Sequence, residues 1–569
     1  MKPINHKHML RRGPAILALL AIASIGIWNG VAQPIAALYA SPQDNPSTPQ
    51  EQQDQQRQQQ PQRQQGEQRQ QGRGEGGREG NREGGQRRPG QQGGQPGGQQ
   101  GGQQGGQRKG GGGGSGLGGY EKPPSPANDV PQRPYDILLG RPTDSSITIR
   151  LLPFEQGQGA IRYAPSTNPE SSLQTKPIDF QPQTPLNIEL TGLQPNTCYN
   201  YHWEYRTSPD TPLQRSAEFS FHTQRSAGEP FTFTVTSDSH LDENSSGEVY
   251  LRTLANAAAD QPDFHLELGD TFMTGKYKKP EFSYGHYLSQ RYYLGSICHS
   301  VPLYFVLGNH DGESVARGDT LWATRTRKAL FPNPTPNTFY SGNEEPWKEV
   351  GALDNYYAWQ WGDALFITLD PYRYTTERPR RGENNTQGNW FWTLGETQYK
   401  WLEQVLASSK AKYRFVFIHH LVGGADQNNR GGIEAAPYWE WGGKNTNGID
   451  EFHKYRPNWK QPIHQLLVEN GVQIVFHGHD HFFAKQDLDG IVYQEVPQPS
   501  HARVGNTRTA AEYGYLSGEI QPSSGHIRIR VSPDSSRVDY VRSYLPKDEN
   551  NNRQNAEISY SYQVNPTSK

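Results

Sequence analysis

Five short apolar segments of the chain each end in Asp, Asn or His, and this repeated pattern constrains the fold most. The segments are FTFTVTSDSH, FHLELGD, VPLYFVLGNHD, YRFVFIHH and VQIVFHGHDH, starting at residues 231, 264, 301, 413 and 472. Short apolar runs bounded by polar residues are typical of buried strands. GEVYLRTLANAAADQPDF has helical spacing between the first two, which predicts a parallel βαβ unit. DALFITLD is a further predicted strand, and ETQYKWLEQVLAS and KQPIHQLLVENG are predicted helices.

The polar strand ends predict a metal site, because ligands of parallel sheets bind beyond the carboxyl ends of the strands. Carboxylate, amide and imidazole groups suit divalent ions between Mg²⁺ and Zn²⁺ in softness. One ion takes three or four protein ligands, and the strand ends supply roughly twice that number, so a two-metal site fits. The candidates are Asp238, His240, Asp270, Asn309, His310, Asp311, His419, His420, His479 and His481.

Taken in order, these motifs resemble the calcineurin-like metallophosphoesterase superfamily across most of residues 231–546. They run Asp-x-His, Gly-Asp, Gly-Asn-His-Asp, a strand-terminal His and Gly-His-x-His. The resemblance implies a four-layer α/β/β/α sandwich that binds two divalent ions, drawn from Zn, Mn, Fe and Co. One ion would be held by Asp238, His240 and His481, and the second by Asn309, His419 and His479. Asp270 would bridge them.

The resemblance further implies hydrolysis of phosphomonoesters by a hydroxide shared between the two ions. His310 matches the family's catalytic histidine, which stabilises the equatorial oxygens or protonates the leaving oxygen. A phosphodiesterase acting on nucleotides or phospholipid head groups would use the same site, so it stays the main alternative. An inactive surface-binding protein is a weaker alternative, because none of the ligand motifs is broken. In a third reading, the N-terminal regions mediate surface adhesion and hydrolysis is incidental.

Several neighbouring positions are predicted to lack a ligand role. His419 is preferred over His420, because VFIHH matches a Val-x-x-His pattern, although His420 would still be able to contact substrate. His477 is expected to pack behind the ligands, and His265 to be a buried, hydrogen-bonded histidine. Purple acid phosphatases place a Tyr three residues after the bridging Asp, where this chain has Met273. We therefore expect no tyrosinate-bound ferric ion from that position.

Residues 130–226 contain short alternating runs separated by Pro, Gly, Asn and Ser, which is typical of an all-β sandwich. LTGLQPNTCYNYHWEY resembles part of a fibronectin type III-like domain, with Leu193, Pro195, Thr197 and Tyr199 forming its tyrosine corner. Purple acid phosphatases also pair such a domain with the metallophosphoesterase fold. The resemblance implies an accessory domain before a catalytic domain over residues 230–546, with a C-terminal tail over residues 547–569.

The N-terminus is predicted to direct export. Basic residues within the first twelve precede an apolar run over residues 15–28, as in a signal peptide, here assigned to residues 1–40. A retained membrane anchor is the alternative, although it needs about 20 apolar residues. A periplasmic, cell-surface or secreted location follows. Export would permit a disulfide between Cys198 and Cys298.

Residues 41–125 form a Gln-, Gly- and Arg-rich segment with almost no apolar residues, which predicts a disordered tether. Glu is interspersed with Arg and the net charge of the chain is −2, so specific nucleic-acid binding is not expected. The predicted partner is a phosphorylated small molecule.

Arg430, in the loop over residues 421–445, is predicted to hold a phosphate oxygen beside Trp439 and Trp441. The alternative is a loop packed on its own aromatic residues. Residues 371–390, with Arg373 and Arg378 to Arg381, are a second candidate rim.

Overall fold

The computed structural model describes residues 119–377, 389–422 and 430–567. The predicted signal, residues 41–118 of the predicted tether, and residues 378–388 and 423–429 of the two predicted rim loops lie outside these ranges. Within the described ranges, no helix combines the length and apolar character needed to cross a membrane.

Nine strands near the N-terminal end of the described chain form two antiparallel sheets around one apolar cluster. They are β1 (Tyr135–Gly140), β2 (Ser146–Pro153), β3 (Gly157–Pro165), β4 (Leu173–Gln174), β5 (Ile178–Phe180), β6 (Leu186–Thr191), β7 (Cys198–Arg206), β8 (Gln214–Arg215) and β9 (Phe219–His222). One sheet has the order β1-β2-β6, and the other β4-β3-β7-β8 with β5 on β3 and β9 on β7. The predicted all-β N-terminal fold is therefore confirmed.

The corner before β7 has the hydrogen bond expected of a tyrosine corner. The hydroxyl of Tyr199 accepts a hydrogen bond from the backbone N–H of Gln194 at 2.8 Å. The Tyr199 ring also stacks on Phe221, with ring centroids 5.5 Å apart. This contact ties the turn to the strand that follows it, because the hydroxyl closes a loop of five residues. The relationship to fibronectin type III domains stays a prediction.

Fourteen further strands form two larger mixed sheets. They are β10 (Phe231–Thr236), β11 (Phe264–Glu267), β12 (Leu303–Phe305), β13 (Ser341–Gly342), β14 (Tyr357–Trp361), β15 (Ala364–Thr368), β16 (Tyr413–Phe417), β17 (Ile474–His477), β18 (Phe483–Leu488), β19 (Ile491–Glu495), β20 (Glu519–Gln521), β21 (Gly525–Val531), β22 (Ser536–Arg542) and β23 (Ile558–Val564). One sheet runs β12-β11-β10-β21-β22-β23, and the other β13-β14-β15-β16-β17-β19-β18-β20.

The α-helices of the described chain all lie in this second region. They are α1 (Gly247–Ala259), α2 (Tyr284–Cys298), α3 (Leu321–Leu330), α4 (Gly395–Ser408), α5 (Gly432–Ala435), α6 (Trp439–Gly442), α7 (Phe452–Tyr455), α8 (Ile463–Glu469) and α9 (Arg508–Glu512). The predicted helices α1, α4 and α8 are thus all present. Ser246 begins α1 as its N-cap, with its side chain accepting from the backbone N–H of Val249.

The two large sheets pack face to face, with helices outside them. Along β16, Phe415 and Phe417 point into the cluster between the sheets, while Val416 belongs to the cluster shared with the helices. This alternation follows from the two-residue period of a strand and gives both faces of the sheet an apolar cover. The predicted four-layer α/β/β/α fold is therefore confirmed.

The central strands run parallel, as the alternation of strands and helices predicts. β10 pairs with β11 and β11 with β12 in parallel register. In the other sheet β15, β16 and β17 are parallel neighbours, and β17 is parallel to β19. The carboxyl ends of these strands consequently lie along one edge of each sheet, and that edge positions the site described below.

Two segments extend the catalytic region beyond its predicted limits. Strand β23 pairs with β22 from Ser536 to Val541, so the sheet continues past the predicted boundary at residue 546. Tyr120, within the predicted tether, forms a parallel bridge with Tyr277. β23 forms the edge of its sheet, and Tyr120 adds backbone hydrogen bonds to the loop of Lys276 and Lys278.

The N-terminal sandwich is fixed to the catalytic region by buried hydrogen bonds. Arg291 of α2 donates from Nη2 to the carbonyl oxygens of Asp136 and Arg150, at 3.2 and 3.1 Å. The hydroxyl of Tyr201 donates to the carbonyl oxygen of His299 at 2.6 Å. Cys198 and Cys298, both within the described residues, are free thiols. The disulfide between them that export would permit is therefore not formed.

Candidate metal centre

The carboxyl ends of five strands bring the predicted site residues together. Asp238 follows β10, Asp270 follows β11, Asn309 and His310 follow β12, His419 follows β16, and His479 and His481 follow β17. These strands belong to both large sheets. The site therefore lies where the carboxyl-terminal edges of the two sheets meet. Six of these side chains form two groups suited to metal binding: Asp238, His240 and His481 in one, and Asp270, His419 and His479 in the other.

The first group is centred on Asp238 Oδ1. His481 Nε2 lies 3.3 Å from this oxygen, and His240 Nε2 lies 3.7 Å from it. The imidazole rings of His240 and His481 meet edge to face, with centroids 4.5 Å apart. Asp238 is fully buried, whereas the side chain of His481 is 35% exposed, so the group opens toward solvent on the His481 side.

The second group surrounds Asp270 Oδ2. His419 Nε2 lies 3.5 Å from this oxygen, and the ring of His479 lies 5.4 Å from that of His419. The two groups adjoin, because Asp270 Oδ2 is also 3.6 Å from His240 Nε2 of the first group. Asp270 therefore contacts both groups, as the predicted bridging position requires.

The side chains present fit divalent ions. Among the described residues, several buried polar atoms aimed into the site have no hydrogen-bond partner, and such atoms are costly unless something binds them. They are Asp238 Oδ1, His240 Nε2, Asn309 Oδ1, His419 Nε2 and both ring nitrogens of His479. Each is a nitrogen or oxygen donor of the kind that Zn²⁺, Mn²⁺, Fe²⁺ and Co²⁺ accept.

The opposite charges of the site strongly shift the pKa values of its carboxyl and imidazole groups. Burial works against the charge of Asp238, but His419 and His481 hold the pKa of this carboxyl well below its usual value. Burial likewise opposes protonation of His419, while Asp270 and Asp238 raise its pKa to about 9. Asp238 and Asp270 are therefore ionised across the physiological range, as metal binding requires, and an ion bound at the site would displace the proton from His419.

Neighbouring groups orient the imidazoles by binding their other nitrogen. His240 Nδ1 lies 3.1 Å from Asp242 Oδ2, and His419 Nδ1 lies 2.8 Å from the carbonyl oxygen of Leu268. Each contact fixes the tautomer that leaves Nε2 facing the site. The sequence prediction missed Asp242, although a carboxylate two residues after a candidate ligand was the available signal.

The loops that carry the ligands adopt left-handed backbone conformations. The φ angles of Asp238, His240 and Asp270 are 60°, 51° and 53°, and those of His479 and His481 are 83° and 66°. Such values are uncommon outside glycine and concentrate where a fold holds functional side chains. β17 ends at His477, so His479 and His481 lie in a turn that sends them to different groups.

His310 stands beside the two groups with access to solvent. Its Nε2 lies 4.0 Å from Asp270 Oδ2, its side chain is 21% exposed, and its backbone N–H donates to Asp270 Oδ1 at 2.7 Å. Burial, then the cations Lys276 and Arg317, lower the pKa of His310, while Asp270 opposes them. His310 is therefore a neutral imidazole near a carboxylate and two basic side chains.

Asp311 acts on the loop rather than on His310. Its carboxylate accepts backbone hydrogen bonds from Asp270, Thr271, Phe272 and Gly308, at 2.7 to 3.0 Å. Both oxygens are used, so the turn constrains this residue. The position three residues after Asp270 is the buried Met273, so no tyrosine reaches the site from there.

A buried polar network supports the His479–His481 turn. Arg430 Nε donates to Asp480 Oδ1 at 2.6 Å, and its Nη2 donates to the carbonyl oxygen of His479 at 3.2 Å. The guanidinium also stacks on Tyr513, 3.9 Å from the ring centroid. The structure therefore shows Arg430 bracing the ligand turn, and its substrate-binding role stays a prediction.

The remaining histidines of the motifs occupy the positions expected of packed residues. His477 is buried with Nδ1 2.7 Å from Glu495 Oε2, and His265 contacts the hydroxyls of Thr234 and Thr236. His420 Nε2 donates to the carbonyl oxygen of Arg430 at 2.6 Å, and its ring stacks on His479. His419 is thus the one of the adjacent pair that joins the second group.

The predicted aromatic wall of the substrate loop is wrong. Trp439 and Trp441 are fully buried in the cluster shared with the helices, and Trp441 Nε1 donates to the hydroxyl of Tyr493 at 2.8 Å. The alternative, a surface loop packed on its own aromatic residues, is met in the described part of the loop only by the contact of Trp439 with Tyr438, because both tryptophans are buried in the domain. Arg373 lies over the ring of Trp347, and Arg378 to Arg381 lie outside the described residues.

Comparison with known proteins agrees with this geometry. Residues 231–483 match the family model described as calcineurin-like phosphoesterase. The structure of PhoD is similar at a TM-score of 0.53 with 14% identity, over 78% of this chain and 91% of PhoD. A purple acid phosphatase from seeds of yellow lupin (Lupinus luteus) has a TM-score of 0.49 with 14% identity, over 75% of this chain and 74% of its own. No curated protein sequence matches the chain.

The fold and the paired Asp and His groups define a metal-dependent hydrolase of phosphoric esters. Its residues 231–483 are the part that matches the calcineurin-like phosphoesterase model. This match implies two divalent metal ions and a phosphorylated small-molecule substrate, and the two groups of side chains would hold the ions.

Proposed function

We propose that the protein is an exported phosphatase that hydrolyses phosphomonoesters with two divalent ions. Asp238, His240 and His481 would hold one ion, and Asn309, His419 and His479 the other, with Asp270 between them. The observation that carries the proposal is the set of buried, unpartnered nitrogen and oxygen atoms converging on two adjoining positions. Bound there, the ions would activate water as the nucleophile and neutralise charge on the phosphoryl group.

His310 is the residue best placed to act on the substrate. It follows the candidate ligand Asn309, keeps part of its ring exposed, and has Nδ1 without a hydrogen-bond partner among the described residues. A dianionic phosphate beside the ring would raise the pKa of His310 and favour its protonated form. The imidazolium then donates to an equatorial oxygen or gives a proton to the leaving oxygen. Such acid catalysis is typically worth about 10²–10⁴-fold.

The charge around His310 favours a monoester over a diester. Lys276 and Arg317 both lie near enough to His310 to affect its titration. Arg317 Nη1 stands 3.7 Å from where a Cβ of Gly275 would be, and the backbone N–H of Gly275 donates to the carbonyl oxygen of His310. Two cations stabilise a monoester dianion more than a diester monoanion, because the Coulomb attraction scales with charge.

The N-terminal regions suggest where the enzyme acts. A basic, then apolar start and a long Gln-, Gly- and Arg-rich segment support export followed by tethering at the cell envelope. We assign the N-terminal sandwich to a fibronectin type III-like accessory domain, supported by the hydrogen bond of Tyr199. In this arrangement, the tether keeps a folded hydrolase outside the cytoplasm and close to the cell surface.

The proposal is tested by metal reconstitution of a chain that starts at residue 119 and so retains every described segment. After treatment with a chelator, Zn²⁺, Mn²⁺, Fe²⁺ and Co²⁺ are added singly. Hydrolysis of p-nitrophenyl phosphate and bis-p-nitrophenyl phosphate is then compared. We expect metal-dependent cleavage of the monoester, lost in Asp270→Ala together with one or both ions. His310→Ala should keep two ions and lose activity.

Three results would contradict parts of this proposal. A preference for the diester would favour a phosphodiesterase with the same site. Metal-independent turnover would remove the assigned role of the Asp and His groups. Fewer than two ions bound to an active enzyme, measured by mass spectrometry of the metal content, would exclude a dinuclear site.

A further inference from the structure

A sixth strand delivers a polar side chain to the same edge of the fold. β15 is parallel to β16, which carries His419 at its end, and β15 ends at Thr368. The chain then continues through Asp370 to Tyr372. Because carboxyl ends of parallel neighbours lie side by side, Tyr372 is placed next to His419. Their ring centroids are 6.3 Å apart.

The hydroxyl of Tyr372 has no hydrogen-bond partner among the described residues, although it is fully buried. The whole residue is only 4% exposed, and its ring belongs to the apolar cluster shared with the helices. A buried tyrosine hydroxyl is normally hydrogen-bonded, since leaving it unpaired costs free energy. Beside a binding site, such a hydroxyl is available to hydrogen-bond a bound ligand.

The surroundings of the hydroxyl are those of the metal centre. After burial itself, the groups that raise the pKa of Tyr372 are Asp270, Asp370, Asp311 and Asp238. Asp270 and Asp238 are the carboxylates at the centres of the two metal-binding groups. Together with the contact between the rings of Tyr372 and His419, this places the phenol beside the metal-binding groups. A phenol offers one O–H donor.

The backbone around Tyr372 is held firmly. Its N–H donates to Asp370 Oδ1 at 2.7 Å, and Asp370 Oδ2 accepts from Asn355 Nδ2 at 2.6 Å. Gln398 of α4 bonds both the N–H and the carbonyl oxygen of Asp370, at 2.8 and 2.7 Å. A donor fixed in this way does not reorganise when charge develops beside it, which is the condition for effective electrostatic stabilisation.

We propose that Tyr372 is a catalytic residue whose hydroxyl donates a hydrogen bond to a phosphoryl oxygen of the substrate at the Asp270–His419–His479 group. The inference rests on the proposed phosphatase function and adds a donor that follows β15. Since His310 follows β12 in one sheet and Tyr372 follows β15 in the other, the two residues would contact the phosphoryl group from different sheets.

The test compares Tyr372→Phe with Tyr413→Phe in the metal-loaded protein. Tyr413 is a matched control, because its hydroxyl is also buried without a partner but lies at the start of β16, away from the site. Metal content, thermal unfolding, binding of inorganic phosphate by calorimetry and hydrolysis of p-nitrophenyl phosphate are measured for both variants. Phosphate binding reports on the donor without relying on turnover.

We expect Tyr372→Phe to keep both ions and the wild-type Tm, while the Kd for inorganic phosphate rises about 10-fold, as for loss of one hydrogen bond to a charged group. kcat should fall by about 10²-fold or more, as for removal of one oxyanion donor. Tyr413→Phe should match the wild type in all four measurements.

Unchanged phosphate affinity and kcat in Tyr372→Phe would overturn the inference. Loss of an ion from this variant would also overturn it, because Tyr372 would then be a metal ligand rather than a donor to substrate. If the metal-loaded wild type neither binds phosphate nor hydrolyses esters, the proposed function itself fails. An active wild type with an unaffected Tyr372→Phe refutes only the role of Tyr372.

Discussion

The carboxylate of Asp311 holds the backbone of Asp270 in place, with the N–H of Asp270 donating to Asp311 Oδ2 at 3.0 Å. Asp270 in turn accepts the backbone N–H of His310 through Oδ1. Two loops from neighbouring strands are thereby locked together, and the second oxygen of Asp270 is left facing the metal groups. Asp311, the last residue of the Gly-Asn-His-Asp motif, thus fixes the shape of the site through backbone hydrogen bonds and does not belong to either metal-binding group.

Replacement of Asp311 by Asn should destabilise the fold and weaken metal binding. An amide places an NH₂ group where an oxygen now accepts two backbone N–H donors, and the buried donors lose their partners. We expect a loss of roughly 3 kcal/mol in the free energy of unfolding, measured by urea denaturation. Metal content should fall as the Asp270 turn loosens. Asp210→Asn, at an exposed position, is the control. Equal stability of both variants would refute this structural role of Asp311.

Arg430 should act through the ligand turn rather than through substrate. Arg430→Gln leaves the buried Asp480 without its cation, and breaking such a pair typically costs about 3–5 kcal/mol. We expect a lower Tm and a weaker affinity for one or both ions, measured by metal titration. Arg508→Gln, whose parent side chain is exposed, is the control. A raised KM with unchanged Tm and metal affinity would instead support the substrate-binding role predicted from the sequence.

Lys276 should contribute to the preference for monoesters. Lys276→Gln removes one of the cations near His310, so kcat/KM for p-nitrophenyl phosphate should fall about 10-fold, which corresponds to about 1.4 kcal/mol. The loss for the bis-ester should be smaller because its phosphate carries one charge. Lys278→Gln, two residues further on, removes an exposed lysine that pairs with Glu121 and serves as the control. Equal losses for both substrates would contradict this assignment of selectivity.

His265 should make the stability of the protein depend on pH. Burial first, then the nearby His526, lower the pKa of His265 to about 3, below its usual value of 6.5. A depressed pKa means that the unfolded chain binds the proton more readily than the folded one. The contribution of His265 is therefore fully present above about pH 6.5 and is lost as the pH falls toward 3, at about 1.4 kcal/mol per pH unit.

The measurement for His265 is the difference in Tm between wild type and His265→Gln across pH 4 to 8. Gln retains polar atoms for Thr234 and Thr236 but does not titrate. The wild type should therefore lose more stability than the variant between pH 6.5 and 4. Parallel curves would show that the buried ring contributes nothing to the pH dependence.

The sequence by itself determined the layered α/β fold and most of the candidate site. Parallel strands must be apolar on both faces, and their polar ends must gather at one edge, so Asp238, Asp270, Asn309 and His419 were recognisable from local pattern alone. His265 could likewise be predicted as packed because it interrupts an apolar strand. These inferences need only the two-residue period of a strand and the rule that parallel strands end at the same edge of their sheet.

Only the tertiary structure decided what depends on contacts between distant segments. The left-handed turns after β17 separate His479 from His481, and the pairing of β22 with β23 extends a sheet beyond the predicted domain. Arg430 turns toward Asp480, fifty residues away, and the tryptophans predicted to line a wall are buried instead. The free hydroxyl of Tyr372 is visible only once its surroundings are known. Such features arise from burial and partner choice, which are set by the packing of the whole chain and not by the spacing of residues along it.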